Sequence, residues 1–486
     1  MLAKVAGLPE EVLKNCLSAL DRAELLVSID TDLEDSLEFR HEMVRQVTYD
    51  SMVEKVRENL NARIIEAFEA EESWRDTPER LCYHATQAKD WRKAFDHGRS
   101  AARKCLVRSA YTDAADYFDI AMNSLDKTPT SRSREADAVD LRMEARMAFM
   151  WSGHVARALE LGNEAERRAD AIDDLGRKIA AMTVRASAQN FYGTPAEAVA
   201  IGEAVANLSR GERDQGWSNL AQYGLGQAYF LAGRYHSAEE ILETVRGRLM
   251  DPEASAPLGS TPRYLLLLCC MMGSITHTVM GEFDIAEQLQ REAAAIAEET
   301  GRPYDRVAAA YSGGWLMLGR GDPAAAAAVL EDGFVLAQKH GIRLFVPVLA
   351  CHLGIAYLEQ GLFDRARRML TEAREEARAV GYTSAVLRSS IYLALASHQL
   401  GDAQAAQNML REARNTARQQ GFSGLEAEAL FGEAVVTPRS GEENRTVILA
   451  ALRAAIAIAS GSGASPLLGK AEAMLNGLLA GGEQPS

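Results

Sequence analysis

The sequence predicts an all-α protein: a solenoid of stacked helix hairpins, about 40 residues per repeat, behind a short front module of helix, strand hairpin and helix. Three observations carry this reading. Glycines recur at a spacing of 40, at Gly153, Gly193 and Gly233, and after a gap of 48 at Gly281, Gly321, Gly361, Gly401 and Gly441. A second series, Gly301, Gly341, Gly381, Gly421 and Gly461, falls midway with the same period. Residues 1–70 do not follow the period at all. Two glycines per period, each after a helical stretch, suit helix hairpins, because glycine takes the left-handed conformation that ends a helix at little steric cost. Periodicity of this length marks a repeat array.

The front module comes first. Pro9-Glu-Glu-Val opens a helix reaching about Leu20, with proline near its first turn. Glu24–Ile29 alternates as a strand, Asp30–Ser36 reads as a polar loop, and Leu37–Arg40 as the return strand. A long helix is expected from about Glu42. Helix, hairpin and helix make the closing part of a winged helix. Its wing, Asp30-Thr-Asp-Leu-Glu-Asp35, carries four carboxylates, which would repel phosphates and argue against DNA binding.

An early, divergent hairpin is expected over 101–125, where Tyr111, Ala114, Phe118 and Ala121 hold an apolar face. Polar segments at 124–137 and 250–263 read as loops, and the second accounts for the longer gap between Gly233 and Gly281. The clearest units are Leu225-Gly226…Tyr229…Gly233-x-Tyr235…Ala238 and Leu353-Gly354…Tyr357…Gly361-x-Phe363…Ala366…Leu370…Ala373. This is the spacing of a tetratricopeptide repeat. The small residue at Gly226 or Gly354 lets the two helices of a hairpin approach, and the aromatic at Tyr229 or Tyr357 fills the space beside it. Leu370 and Ala373 continue the apolar face of the second helix. Met317 and His277 stand at the aromatic position in looser units. Forty residues imply about three more per helix than the common unit, so the array resembles longer-helix tetratricopeptide variants. The division expected is 1–70 for the front module and connecting helix, 71–463 for the array, and 464–486 for a capping helix and a disordered tail.

VAGLPEEVLKNCLSALDRAELL followed by FRHEMVRQVTYDSM resembles the region after the ATPase core in signal-transduction ATPases with numerous domains. It is most similar to bacterial proteins that join an adenylate/guanylate cyclase domain, a P-loop ATPase and a tetratricopeptide array. The resemblance implies that His41, within Arg40-His41-Glu42, stands at the position of a histidine that touches the β-phosphate of bound ADP. No G-x-x-x-x-G-K-[ST] and no cyclase domain occur in these 486 residues. The resemblance therefore implies a sensor region, with His41 a vestigial nucleotide-sensor position.

The remaining chemistry is sparse. The net charge of −15, with Lys and Arg scattered among Glu and Asp, argues against nucleic-acid binding. The six cysteines, at 16, 82, 105, 269, 270 and 351, have no metal spacing and read as buried thiols of a reducing compartment. The longest apolar run, Tyr264–Met272, is far short of the roughly 20 residues of a membrane helix. No secretory signal is visible, so a cytoplasmic location without membrane contact is expected. No catalytic motif stands out, and no cofactor or metal is expected. Binding is the better expectation, since first helices of stacked hairpins line a concave groove. Polar or aromatic candidates there are Asn190, Gln222, Gln227, His277, Tyr311, Trp315, His352 and Tyr392. The expected function is a non-enzymatic sensor or scaffold that takes a protein, a peptide or a small effector in the groove. The alternatives are a free-standing adaptor, or a chain grouped with cyclases or ATPases by relatedness alone.

Overall fold

The computed structural model describes residues 2–29, 36–70, 77–209, 215–251, 253–257 and 260–480. Among these, the only strands are Leu26–Ile29 and Ser36–Phe39, paired antiparallel with Leu26 opposite Phe39; the remaining elements are helices. The acidic wing at 30–35 and the tail at 481–486 lie outside the described residues. Packing divides the chain into two compact units, residues 1–104 with 116–134, and 105–115 with 135–486.

In the first unit a short helix, Leu2–Ala6, precedes the expected one, which runs Glu10–Arg22 with Glu10 and Glu11 facing its positive end. The first strand is shorter than expected because Glu24 turns through a positive φ of 53°. The long helix expected from Glu42 is two helices, Glu42–Ser51 and Glu54–Ala70. Thr48 and Ser51 hydroxyls bond back to the carbonyls of Val44 and Thr48, and Met52 leaves the helix with ψ 140°. Ile65, Phe68, Leu81, Ala85 and Ala94 form the core. Among the described residues, a hairpin between helices is what stands here; no third strand of a winged helix accompanies it. The loop expected at 124–137 is also shorter. A helix begins at Arg132, capped by Ser131 Oγ accepting from the Arg134 N–H at 3.0 Å.

The second unit is an α-helical repeat solenoid. Its hairpins are held close by missing Cβ atoms. A Cβ on Gly226 would lie 2.9 Å from Leu242, and one on Gly354 would lie 2.6 Å from Leu370. Gly273 and Gly314 stand likewise against Leu289 and Leu330. The hairpin loops turn on left-handed glycines in both series, with two exceptions. Gly193 is extended (φ −101°, ψ −155°), because Thr194 caps the next helix in a capping box and Pro195 holds Thr194 in the β region. Gly461 lies inside Glu442–Ser462, whose left-handed end is Gly463.

The array returns onto itself. Thr383 Oγ1 donates to the Tyr192 carbonyl, 191 residues away, and Gly381 packs on the Tyr192 ring. Gly233 meets Ser423, and Gly281 meets Ser465 and Pro466. First helices are therefore covered on two sides, which is why Pro262–Met280 is buried along almost its whole length. That helix and Glu442–Ser462 are long and apolar enough to cross a bilayer; the first is mostly buried inside this unit and the second much less so. The last described helix, Ser465–Ala480, buries only Ala471. Of the cysteines, Cys16 is exposed and Cys105 half-buried, against the expectation for all six; the others are buried.

Candidate functional site

The first helices of the second unit turn their inner faces toward one another, and aromatic side chains fill most of the space between them. Trp151 stacks on Phe345 with ring centroids 5.8 Å apart and a 24° interplanar angle. Tyr304 sits beside both, 4.8 Å from Trp151 and 5.5 Å from Phe345. Tyr311 crosses Phe345 edge-on at 5.7 Å, and Phe191 crosses Tyr382 at 5.0 Å. The rings meet stacked, tilted and edge-on, as aromatic pairs do. They leave a cavity of about 100 Å³, several water volumes on the measure that allots ~10–15 Å³ per water.

Five of the eight candidates line this cavity: Asn190, Gln227, Tyr311, Trp315 and His352. The other three lie elsewhere. Gln222 accepts from Arg248 at 3.1 Å and donates to Ser218. His277 pairs with Glu282 at a hairpin loop. Tyr392 packs against the core of Leu387, Ile391 and Leu410. His41, in the first unit, is the N-cap residue of Glu42–Ser51, exposed and without a side-chain capping bond.

One wall of the cavity is charged. Arg388, from the helix Thr383–Gln399, lies over the Trp315 ring at 4.6 Å and donates to Glu428 at 2.9 Å. The two side chains are 15% and 19% exposed. Burial is the largest single influence and works against charge on Arg388, but the Glu428 carboxylate together with Tyr311, Tyr392 and Cys351 outweighs it, and the guanidinium titrates above its usual range. His352 packs on Trp315, centroids 4.5 Å apart, and its Nδ1 lies 2.7 Å from the Val348 carbonyl. A carbonyl can only accept, so Nδ1 carries the proton and Nε2 keeps its lone pair. Burial, reinforced by the Arg388 charge, lowers the His352 pKa to about 3. Burial also pushes the Tyr311 phenol up to about 12. The wall thus holds a fixed cation, a neutral imidazole and a neutral phenol.

Asn190 is anchored through Nδ2 to the Gly224 carbonyl at 2.8 Å, while its Oδ1 is buried without a partner. Arg388 Nε and Glu428 Oε2 are likewise buried and unpartnered. Buried polar atoms are almost always paired; unpaired ones gather on or beside this cavity, Trp315 Nε1 and the Tyr304 hydroxyl among them, and others lie elsewhere in the unit, as at Asn219 and Gln420. Sequence reasoning missed Arg388, Trp151 and Tyr304. Arg388 had a signal, a lone basic residue in the apolar stretch Ala385–Ala396; the rings had none, since an inward aromatic and a core aromatic look alike in sequence.

The fold and cavity define a class, the α-helical repeat solenoid of tetratricopeptide type with an aromatic-lined interior. One solved structure supports that fold, and two others align over much of the chain. A Rap protein complexed with competence and sporulation factor aligns over 76% of this chain and 98% of its own, at 11% identity and a TM-score of 0.53. A signal-transduction ATPase with a tetratricopeptide sensor from Pyrococcus horikoshii aligns over 76% of this chain and 53% of its own, at 13% identity and a TM-score of 0.38. The Cut9–Hcn1 hetero-tetramer of the APC/C aligns over 88% and 85%, at 12% identity and 0.44. No protein-family profile and no curated protein matches the sequence.

Proposed function

We propose that this chain is a non-enzymatic sensor or scaffold whose interior cavity takes a segment of a protein or peptide, or a small effector. The observation that carries the reading is the cavity wall itself. It joins an aromatic surface, which gives contact area at low entropic cost, to buried polar groups that lack partners within the chain. A ligand with an apolar body and a hydrogen-bonding end would satisfy both. The Rap protein of similar fold is complexed with competence and sporulation factor, and a bound factor agrees with this use of the fold.

The test is a screen of the full chain against a displayed peptide library and a panel of small metabolites, read by thermal shift and calorimetry. Ser384→Phe, which puts a ring into the cavity from a half-buried lining position, serves as the blocked variant. Ligands are expected to lose at least about tenfold in affinity in that variant while its helical signal is unchanged. Ligands that bind the blocked variant equally well would move the site elsewhere.

Residues 1–70 we read as the closing part of a winged helix, and the chain as the sensor region of an ATPase or cyclase-type regulator of the cytoplasm that contacts neither nucleic acid nor membrane. Within that reading His41 is a nucleotide-sensor position that is vestigial in this chain, and 71–463 is the sensing array. Binding of ADP to the purified chain, lost in His41→Ala, would overturn the vestigial assignment.

A further inference from the structure

The geometry points to a divalent transition-metal site beside the Gly281 loop, held by Glu239, His277 and Glu282 with His236 as a fourth ligand. It lies apart from the aromatic cavity and rests on none of its residues.

The loop itself brings the first two ligands together. Gly281 takes a φ of +83°, and the Glu282 N–H closes the turn on the His277 carbonyl at 2.9 Å. The Glu282 carboxylate is folded back so that its Oε2 lies 2.6 Å from His277 Nδ1. Glu239 arrives from the preceding hairpin, on Tyr235–Leu249, and one ligand atom from each of the three residues lies within 4.8 Å of the others. His236, one turn earlier on that helix, places Nδ1 3.6 Å from Glu239 Oε2. Around a four-coordinate ion at ~2.0–2.2 Å, ligand atoms stand roughly 3.3–3.6 Å apart, so small shifts close the shell of Glu239, His277 and Glu282, and the exposed His236 ring, near Glu239, turns inward to complete it.

Two further features separate this group from an ordinary surface cluster. The first is charge. Among the described residues neither Glu239 nor Glu282 has a Lys or Arg partner, whereas the neighbouring Glu243 is taken by Arg246 at 2.8 Å and Glu287 by Arg320 at 2.7 Å. Two carboxylates converge on two imidazoles with no fixed cation to balance them. The second is the repeat. Where His277 stands, other hairpins place Tyr229, Met317, Tyr357 and Ser397; where Glu282 stands, they place Arg234, Asp322, Leu362 and Asp402. A hydrogen bond capping one loop would explain His277 with Glu282, but not the approach of Glu239 and His236 from another hairpin. Imidazole nitrogen with carboxylate oxygen is a donor set for Zn²⁺ and its neighbours Co²⁺ and Ni²⁺ rather than for Ca²⁺ or Mg²⁺.

The position gives the ion a consequence. His236 lies against Gly463, where a Cβ would come 3.0 Å from its Nε2, and Gly281 packs on Ser465 and Pro466. An ion here fixes two hairpins at the place where the array meets the start of its last helix, so metal binding raises the melting temperature of the folded chain.

The experiment strips the full chain with a chelator and titrates it with Co²⁺, following visible absorption, then with Zn²⁺ by calorimetry. One equivalent is expected to bind, with a tetrahedral Co²⁺ spectrum that Zn²⁺ abolishes. Glu239→Gln and Glu282→Gln keep side-chain size at half-exposed positions, so they test ligation without endangering the fold. Each is expected to weaken binding at least about tenfold, and the double variant should lose the Zn²⁺-dependent rise in melting temperature. Absence of binding at one equivalent, or equal binding by the double variant, would overturn the site.

Discussion

The helices Glu10–Arg22 and Glu42–Ser51 of the front module bury no residue at all, whereas Val346–Glu359 of the repeat array buries all but its last two. Both regions show apolar periodicity in sequence, yet only one finds partners among the described residues. Met43 is 77% exposed and Val47 63%, while Gly354 faces Leu370 across a hairpin and Leu349 packs on Gly333, with Leu349 and Leu370 at 0%. Periodicity shows that a face is apolar; it does not show that the chain supplies what covers it. In a repeat the next unit supplies the cover, so the pattern and the packing agree.

The largest contrast is in the cost of removing an apolar side chain. Leu370→Ala deletes a fully buried side chain packed on Gly354 and should cost about 2–5 kcal/mol of stability. Val47→Ala, on the exposed face of the front module, should change stability by less than about 0.5 kcal/mol. Chemical denaturation of both variants measures the difference. An equal loss in the two would mean that the front face is covered in solution, and the comparison would fail.

That contrast also marks what could be read from sequence. The hairpin spacing was legible because glycines and small residues answer to local sterics: Gly226 and Gly354 stand where the predicted close approach occurs. The end of the helix at Ser51 was less so, because Thr48 and Ser51 act through hydroxyl bonds that no periodicity records. The candidate site was half legible. Asn190 and His352 could be placed on inner faces by register, but Arg388 and Trp151 come together with them only because the array meets itself 191 residues on. That closure depends on the accumulated rotation of many hairpins, which no single repeat displays.

A second prediction uses the burial of His352. His352 has a folded-state pKa of about 3, below the ordinary histidine value near 6.5. The unfolded chain therefore takes up the proton first as pH falls. This residue's contribution to stability is full above pH 6.5 and is lost progressively from there toward pH 3. Between pH 8 and pH 5 the loss should be about 2 kcal/mol from this residue alone. His352→Phe, which keeps a ring against Trp315, should remove that component of the slope while giving up the bond to Val348 at all pH values. Denaturation at several pH values compares the two slopes; parallel slopes would mean that water reaches the imidazole.

The smallest contrast sets two glycines of the same series against each other. Gly361 turns at φ 75° with open space around its Cβ position, so Gly361→Ala meets no neighbour and costs only the left-handed penalty, about 1 kcal/mol. Gly193 is extended, and a Cβ there would meet only the flexible end of Gln189. Alanine adopts that backbone freely and also narrows the unfolded ensemble, which works in its favour. What it displaces is the Gln189 bond to Glu197, an exposed contact worth little. Gly193→Ala should therefore be near neutral, within about 0.5 kcal/mol. Two positions of one glycine series would then differ in cost because one loop turns on glycine and the other on the Thr194–Pro195 cap. Equal costs would show that the period, rather than the local cap, sets the conformation at Gly193.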